Sequence, residues 1–177
     1  MRSILSIGFM SCVMVLGAAS WARAETASTE MHLATVEGQG RSVGRVTFTD
    51  TPRGLEIKTE LDNLPPGGHG FHIHENGSCQ PMEKDGKMTP AQAAGGHYDP
   101  AKTGRHLGPE GGGHKGDLPG LTVGQDGRAY QVLTVKDLSV QEIKNRAVII
   151  HEGGDNYSDS PQELGGGGGR LVCGVIR

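Results

Sequence analysis

The histidines of this chain are concentrated in one region, and this concentration constrains the fold more than any other feature. Seven of the eight histidines lie between positions 69 and 151, and His32 stands outside that range. Imidazole is the commonest metal ligand near neutral pH. Six of these histidines and one aspartate have spacings that predict a site for two metal ions: His72, His74, His97, His106, His114, His151 and Asp117.

Short alternating patterns predict an all-β fold. In residues 55–61, apolar positions and a threonine alternate with Glu56, Lys58 and Glu60, which is typical of a half-buried strand. Further β-like runs are residues 31–37, 43–49, 129–135, 146–151 and 171–176. Several short strands separated by glycine and proline favour a sandwich or a barrel. Ser139 and Glu142 resemble a helix capping box, with room for one or two turns. Residues 75–128 and 152–170 lack strand periodicity, so we expect long functional loops there.

The N-terminal residues have the pattern of a secretory signal. Arg2 precedes an apolar run over residues 4–19, and Ala22-Arg23-Ala24 is a small-x-small cleavage sequence. The apolar run is short for a membrane-spanning helix, which disfavours an uncleaved anchor. We therefore expect a signal peptide over residues 1–24, an exported mature domain over residues 25–177, and no membrane association after cleavage.

Charge and cysteine content narrow the classes of partner and the compartment. Acidic residues outnumber lysine and arginine by 20 to 17, and two of the basic residues belong to the predicted signal, which disfavours nucleic acid as a partner. Only Cys79 and Cys173 remain in the mature chain. Two cysteines in an exported chain predict one disulfide. The alternative is a pair of free buried thiols.

The sequence Phe71-His72-Ile73-His74 predicts a metal-binding strand. Side chains alternate between the faces of a strand, so Phe71 and Ile73 would face the core while His72 and His74 share the other face and can hold one metal. The alternative is a pair of surface histidines. His69 could share that face, but we interpret it as structural because glycines flank it and later ligands complete the site without it.

A second group of ligands suits zinc. His97, His106, His114 and Asp117 offer three nitrogens and one carboxylate oxygen, which is a closed tetrahedral set with a structural role. Each of these histidines taken alone could be a polar loop residue. His151 ends an apolar strand and is followed by carboxylates in residues 152–155, and carboxylates commonly hold the second N–H of metal-bound histidines.

Five motifs in order resemble the copper,zinc superoxide dismutases. They are G-F-H-I-H at 70–74, G-G-H-Y-D-P at 95–100, G-H-K-G-D-L-P at 113–119, V-I-I-H-E-G-G-D-N at 148–156 and G-R-L-V-C-G-V-I at 169–176. The resemblance spans nearly all of the mature chain, and the loops resemble those of the bacterial periplasmic branch. It implies a periplasmic protein with a flattened eight-stranded Greek-key β-barrel, an immunoglobulin-like sandwich with long functional loops.

The resemblance also implies a role for each site residue. It makes His72, His74, His97 and His151 the copper ligands, and His97, His106, His114 and Asp117 the zinc ligands, with His97 as the bridge. It makes Asp155 the carboxylate that links the two ligand sets and pairs Cys79 with Cys173. It places Arg170 beside the copper, and it gives Arg170 and His97 the catalytic roles.

The activity implied by the resemblance is superoxide dismutation. A copper ion would be alternately reduced and oxidised, superoxide would become oxygen and hydrogen peroxide, and a zinc ion would be structural, with one ion of each metal per subunit. The permanent charge of Arg170 suits a small anionic substrate. The alternative function is non-enzymatic copper and zinc binding in the periplasm on the same barrel. Such a protein would be expected to lack a ligand, the bridge or the arginine, and this sequence keeps all three. A zinc hydrolase is disfavoured because the zinc set leaves no open position. The sequence leaves open whether the chain forms a homodimer.

The sequence departs from the family pattern in one place, which concerns the source of the charge that steers superoxide. Eukaryotic members place lysines in the loop before the arginine, whereas residues 152–169 contain Glu152, Asp155, Asp159 and Glu163 and no lysine. We predict that Lys84 and Lys87 supply steering charge, the alternative being that both are solvated loop lysines.

Overall fold

The computed structural model describes residues 24–177, and most of this part of the chain is β structure or loop. The predicted signal peptide therefore lies outside the described residues except for Ala24, and its cleavage stays a prediction. The strands are β1 (Thr26–Thr35), β2 (Gly38–Thr51), β3 (Gly54–Leu61), β4 (Gly67–His69), β5 (Phe71–His74), β6 (Met82–Lys84), β7 (Lys87–Thr89), β8 (Leu121–Val123), β9 (Ala129–Val135), β10 (Ala147–His151) and β11 (Arg170–Val175). One short α-helix, α1 (Val140–Ile143), and two 3₁₀ turns, Gln92–Ala94 and Glu163–Gly166, complete the described elements. None of the helices in residues 24–177 has the length and apolar character needed to cross a bilayer.

Seven strands form one antiparallel sheet with Greek-key crossings. The order across the sheet is β5-β10-β11-β1-β2-β3-β9, and β4 pairs separately with β8. After β3 the chain crosses to the far end of the sheet to form β5, returns to place β9 beside β3, and crosses again to insert β10 between β5 and β11. The predicted all-β Greek-key barrel is therefore confirmed.

Hydrophobic alternation explains the central strands. In β3, Leu55, Ile57 and Leu61 are fully buried while Lys58 and Glu60 are exposed. Ile57 lies opposite Phe48 of β2, so both strands contribute to one core. Burying side chains of this size stabilises the fold by roughly 1.5–3 kcal/mol each.

The predicted strand at residues 31–37 was wrong in its boundaries. β1 begins at Thr26 and ends at Thr35, and residues 36–37 form a turn. The early part of β1 is held by its ladder with β2, where Thr26 lies opposite Thr49 and Ser28 opposite Thr47. Because most of these positions are polar, they show no hydrophobic alternation. The strands β4, β6, β7 and β8 were also missed, since each has only three residues.

Strand β10 is buried on both faces, because it lies between the main core and a second cluster of buried residues. Val148 and Ile150 belong to the main core, whereas Ala147 and Ile149 pack in a second cluster with Cys79, Cys173, Ala91 and Ala94. The disulfide between Cys79 and Cys173 is present, with a Cα–Cα distance of 5.7 Å, which confirms the predicted pairing. The bridge fixes the segment after β5 over the outer face of β10.

The predicted capping box is present. The Ser139 backbone N–H donates to the Glu142 carboxylate at 3.1 Å, and one turn of helix follows. Glu142 also pairs with Lys115, so this turn contacts the stretch that carries His114 and Asp117.

Candidate metal centre

Strand β5 presents two histidines on its outer face. Phe71 and Ile73 are fully buried in the core, as predicted, while His72 and His74 are buried on the other side beneath the loops. Isolated β-bridges join His74 to His97 and His72 to Asp117. The backbone therefore brings the loop residues directly over the strand histidines.

All seven predicted ligands lie together. The ring centroids of His72 and His97 are 4.0 Å apart, those of His72 and His151 are 4.8 Å apart, and those of His97 and His114 are 5.4 Å apart. The donor atoms form two groups, within each of which every atom lies within 4.8 Å of the others: His72, His74, His97 and His151 in one, and His72, His97, His106 and Asp117 in the other. The second group thus contains His72 and not His114. The Nδ1 atom of His114 nevertheless lies 3.4 Å from Oδ1 of Asp117.

The donor atoms that these residues offer are buried and unpaired. Among the described residues, eight buried side-chain atoms have no hydrogen-bond partner, and seven of them belong to the predicted ligands. They are Nδ1 of His72, Nε2 of His74, Nε2 of His97, Nε2 of His151, Nδ1 of His106, Nδ1 of His114 and Oδ2 of Asp117. Of these, Nδ1 of His106 lies 3.0 Å from Oδ2 of Asp117 without making a hydrogen bond. A buried polar atom without a partner costs about 1–3 kcal/mol, so a cluster of them needs a ligand to satisfy it. Nitrogen donors with carboxylate oxygen suit copper and zinc.

The second nitrogen of each strand histidine is already fixed. Nδ1 of His74 donates to the Gly95 carbonyl at 3.0 Å, and Nδ1 of His151 donates to the Gly168 carbonyl at 3.3 Å. Nδ1 of His97 lies 2.9 Å from Oδ1 of Asp117, whereas Nε2 of His97 has no hydrogen-bond partner. His97 is a member of both groups of donor atoms, as a bridging residue requires.

Asp155 lies between the two groups. Its Oδ2 atom is 2.8 Å from Nε2 of His72, its Oδ1 atom is 2.7 Å from Nε2 of His106, and its side chain is only 1% exposed. Gly165 packs against this pair in a left-handed conformation (φ +72°), and a Cβ atom there would lie 2.0 Å from Oδ1 of Asp155. Glycine is therefore required at this point of the glycine run.

Burial keeps His74, His97 and His151 neutral. It lowers the pKa of His151 to about 3 and that of His97 to about 4, and neighbouring histidine charges contribute to both shifts. The pKa of His74 is lowered by the same burial and by the charges of His97 and Arg170. Neutral imidazole is the form that binds metal.

The two carboxylates stay ionised. Burial alone would raise the pKa values of Asp117 and Asp155, but the adjacent imidazoles hold both well below their usual range, those of His106 and His97 at Asp117 and those of His106 and His72 at Asp155. The adjacent carboxylates of Asp117 and Asp155 outweigh burial at His106 and raise its pKa to about 9. The site therefore contains negative charge that favours a cation.

A cleft of about 170 Å³ opens above the strand histidines, and its lining includes His97, His151, Arg170 and Lys84. The Arg170 guanidinium donates to the Ala91 carbonyl and to the Gly95 carbonyl, both at 2.6 Å. Arg170 also lies opposite His151 in the β10–β11 ladder. Lys87 pairs with Lys84 across the β6–β7 hairpin but does not line the cleft.

Two further side chains support the ligands. The His69 imidazole lies between the Pro65 carbonyl at 2.9 Å and the His151 carbonyl at 2.8 Å, which confirms its structural interpretation. Asp159 was missed by the sequence analysis. Its Oδ2 atom accepts from the His106 backbone N–H at 2.9 Å, a contact that no spacing of residue types could indicate.

Comparisons with known proteins agree with this site. The family model for copper/zinc superoxide dismutase (SODC) matches residues 42–176. The superoxide dismutase [Cu-Zn] of Escherichia coli K12 is 52% identical over 170 residues, covering 96% of this chain and 98% of that protein. The structure of Cu/Zn superoxide dismutase from Brucella abortus superimposes with a TM-score of 0.85 at 52% identity, covering 86% of this chain and all of that one. The solution structure of the monomeric enzyme from Salmonella enterica has a TM-score of 0.78 at 52% identity, with the same coverage. This chain therefore belongs to the copper/zinc superoxide dismutase family.

Proposed function

We propose that this chain is an exported superoxide dismutase with one catalytic copper ion and one structural zinc ion. The observation that carries the proposal is the cluster of seven buried side-chain atoms without hydrogen-bond partners, all of which belong to the predicted ligands. The presence of Arg170 in the cleft favours an enzyme over a protein that only binds metal.

We assign copper to the first group of donor atoms, and we assign zinc to His97, His106, Asp117 and the adjacent His114. Copper would be held by Nδ1 of His72 and by Nε2 of His74, His97 and His151, and zinc by Nδ1 of His97, His106 and His114 with a carboxylate oxygen of Asp117. When bound, copper supplies a centre that changes between two oxidation states, which zinc cannot do. All of these atoms except Nδ1 of His97 are without a hydrogen-bond partner, and this observation and the link through Asp155 support the assignment.

Arg170 binds the superoxide anion in this proposal. A guanidinium has five N–H donors. Two of them are used on the Ala91 and Gly95 carbonyls, so the side chain is held in place and donors remain for a ligand in the cleft. The fixed charge and the planar donor arrangement suit a small anion.

His97 supplies a proton. Its Nε2 atom has no hydrogen-bond partner, and the residue lines the cleft beside Arg170. When Nε2 carries a proton, it can supply one of the two protons that the reduced product takes up to leave as hydrogen peroxide.

We further propose a periplasmic location. The cleavage pattern at Ala22-Arg23-Ala24 and the disulfide both fit an oxidising compartment. N-terminal sequencing of the protein from the periplasmic fraction should begin at Glu25. Homodimer formation stays a prediction, and the mass of the purified protein in solution tests it.

The metal assignment is tested by paired variants. His151→Ala should lose copper and dismutation while it retains zinc, and His114→Ala should lose zinc while it retains copper. His32→Ala is the matched control, because His32 lies outside both groups and hydrogen-bonds to Gly40. Wild-type copper content and rate in His151→Ala would contradict the assignment. Full copper binding by the wild-type protein without dismutation would favour the non-enzymatic alternative.

A further inference from the structure

We propose that Tyr157 and Asp159 are positioning residues for zinc, acting through the backbone that carries its ligands. The inference rests on the zinc set proposed above. Both residues belong to residues 155–159, which we call the clamp segment. Within it, Asp155 contacts the His106 imidazole directly, whereas Tyr157 and Asp159 touch no proposed ligand atom.

Asp159 fixes the backbone at His106. Its Oδ2 atom accepts from the His106 N–H at 2.9 Å, and its Oδ1 atom accepts from the Leu164 N–H at 3.2 Å. These two backbone hydrogen bonds lower the pKa of Asp159, so the carboxylate is ionised and both bonds are charge-assisted. His106 is thus held twice by the clamp segment, at its ring by Asp155 and at its backbone by Asp159.

Tyr157 contacts both ends of the stretch that carries the zinc ligands. Its hydroxyl oxygen accepts from the Gly120 N–H at 2.9 Å, three residues beyond Asp117. Its ring packs on Gly108, two residues beyond His106, so closely that a Cβ atom at Gly108 would lie 2.7 Å from the ring.

The backbone of Tyr157 shows that this placement is enforced. Tyr157 adopts a left-handed conformation with φ 56°, which is unfavourable for a bulky residue and persists only where the surroundings determine it. Its N–H donates to Oδ1 of Asp155 at 2.8 Å, so the turn that aims the ring is tied to the carboxylate between the two metal groups.

The stretch between His106 and Asp117 needs such external support. It contains five glycines, at positions 108, 111, 112, 113 and 116, and it has no strand or helix of its own. Glycine loses the most conformational freedom on ordering. Contacts that order this backbone before the ion binds therefore reduce the cost of binding and slow the release of zinc.

Tyr157→Phe tests the inference with little change in packing. It removes the acceptor of the Gly120 N–H and keeps the ring over Gly108. Tyr130→Phe is the matched control, because that hydroxyl donates to Asp62 at 2.8 Å on the exposed side of β9. The measurements are the rate of zinc release from the copper- and zinc-loaded protein into a chromophoric chelator, and the visible spectrum of cobalt(II) placed in the zinc site.

We expect zinc release to be about tenfold faster in Tyr157→Phe, at the low end of the roughly 10–100-fold effects of residues that support metal ligands. The cobalt spectrum should shift, and copper content should stay at wild type. Asp159→Ala should release zinc faster still, and Asp159→Asn, which keeps one acceptor oxygen, should partly restore the wild-type rate. Tyr130→Phe should change neither measurement.

An unchanged zinc release rate and cobalt spectrum in Tyr157→Phe would overturn the inference. A parallel loss of copper and zinc with a lower unfolding midpoint would also overturn it, since that pattern indicates general destabilisation. His114→Ala separates this inference from the zinc assignment. If His114→Ala keeps zinc, the proposed ligand set is wrong, and if it loses zinc while Tyr157→Phe behaves as wild type, the positioning role alone is wrong.

Discussion

Replacement of Asp155 should weaken zinc binding although Asp155 is not a proposed metal ligand. Its two carboxylate oxygens accept hydrogen bonds from Nε2 of His72 and Nε2 of His106 at 2.8 and 2.7 Å. Because the Nδ1 atoms of both histidines are the unpaired donor atoms, each Nε2 must carry the proton. In Asp155→Ala both N–H groups lose their acceptor, and both rings lose the contact that orients them.

The size of the effect follows from what supporting hydrogen bonds contribute to metal sites. Their loss typically costs about 10–100-fold in metal affinity. This corresponds to roughly 1.4–2.8 kcal/mol, since each tenfold change is about 1.4 kcal/mol. Asp155→Asn provides a matched comparison. Oδ1 serves two donors, the His106 ring and the Tyr157 N–H, so the amide oxygen should occupy that position and the amide nitrogen should face His72. The asparagine variant should therefore keep more zinc affinity than the alanine variant.

Competition of each variant with a chelator of known zinc affinity gives the dissociation constants, and metal analysis after dialysis gives the occupancies. A wild-type zinc dissociation constant in Asp155→Ala would refute the linking role. Equal losses in the two variants would show that the negative charge matters and the hydrogen bond to His106 does not.

Four further predictions concern the bridge, the disulfide, the cleft and the pH dependence of stability. His97→Ala should keep copper but lose zinc affinity, and an unchanged copper spectrum with full zinc occupancy would contradict its bridging role. Cys79→Ser should lower the free energy of unfolding by roughly 2–5 kcal/mol, and a wild-type urea midpoint would contradict this expectation. The variant should also slow dismutation, because the loop that supplies the Ala91 and Gly95 carbonyls to Arg170 is no longer tied to β11. Replacing both Lys84 and Lys87 with glutamate should slow dismutation at low salt, and the loss should shrink as salt rises, because screening acts over about 10 Å at 0.1 M. Lys84→Glu alone should account for most of the loss, since only Lys84 lines the cleft. A wild-type rate and salt dependence in the double variant would exclude both lysines as steering residues. The metal-free protein should lose stability as pH falls from 6.5 to about 4. His97 and His151 take up protons over this range in the unfolded chain but not in the folded protein, where their pKa values are about 4 and about 3. A urea midpoint that is constant over this range would contradict the argument that burial lowers these pKa values.

Strands with strong hydrophobic alternation could be predicted from the sequence. The predicted run 55–61 is β3 without its first glycine, and the run 129–135 coincides with β9. The start of β1 could not be predicted, because polar residues such as Thr26 and Ser28 are held there by pairing with β2 and not by burial of apolar side chains. The three-residue strands in the 75–128 segment are set by tertiary contacts that leave no periodic pattern.

The ligand residues could be predicted because metal chemistry restricts the residue types. Strand parity placed Phe71 and Ile73 in the core and His72 on the opposite face, as observed. The supporting contacts could not be predicted in the same way. The carbonyls of Gly95 and Gly168 orient His74 and His151, and a backbone carbonyl has no sequence signature.

Neighbouring residues with the same chemistry also need the structure to be told apart. Lys84 and Lys87 are three residues apart, carry the same charge and pair across the β6–β7 hairpin, yet only Lys84 lines the cleft. Asp159 and Glu163 both belong to the acidic loop, and only the fold reveals that Asp159 accepts from the His106 backbone.

The central claim is that copper bound by the strand histidines performs superoxide dismutation, and reconstitution of the metal-free protein tests it most directly. Zinc is first added to one equivalent per chain, copper is then titrated in, and the dismutation rate is measured at each step. Zinc alone should give no activity, and the rate should rise linearly with copper and reach its plateau at one copper per chain. A fully copper-loaded and zinc-loaded protein without dismutation activity, or a zinc-only protein with the full rate, would contradict the claim.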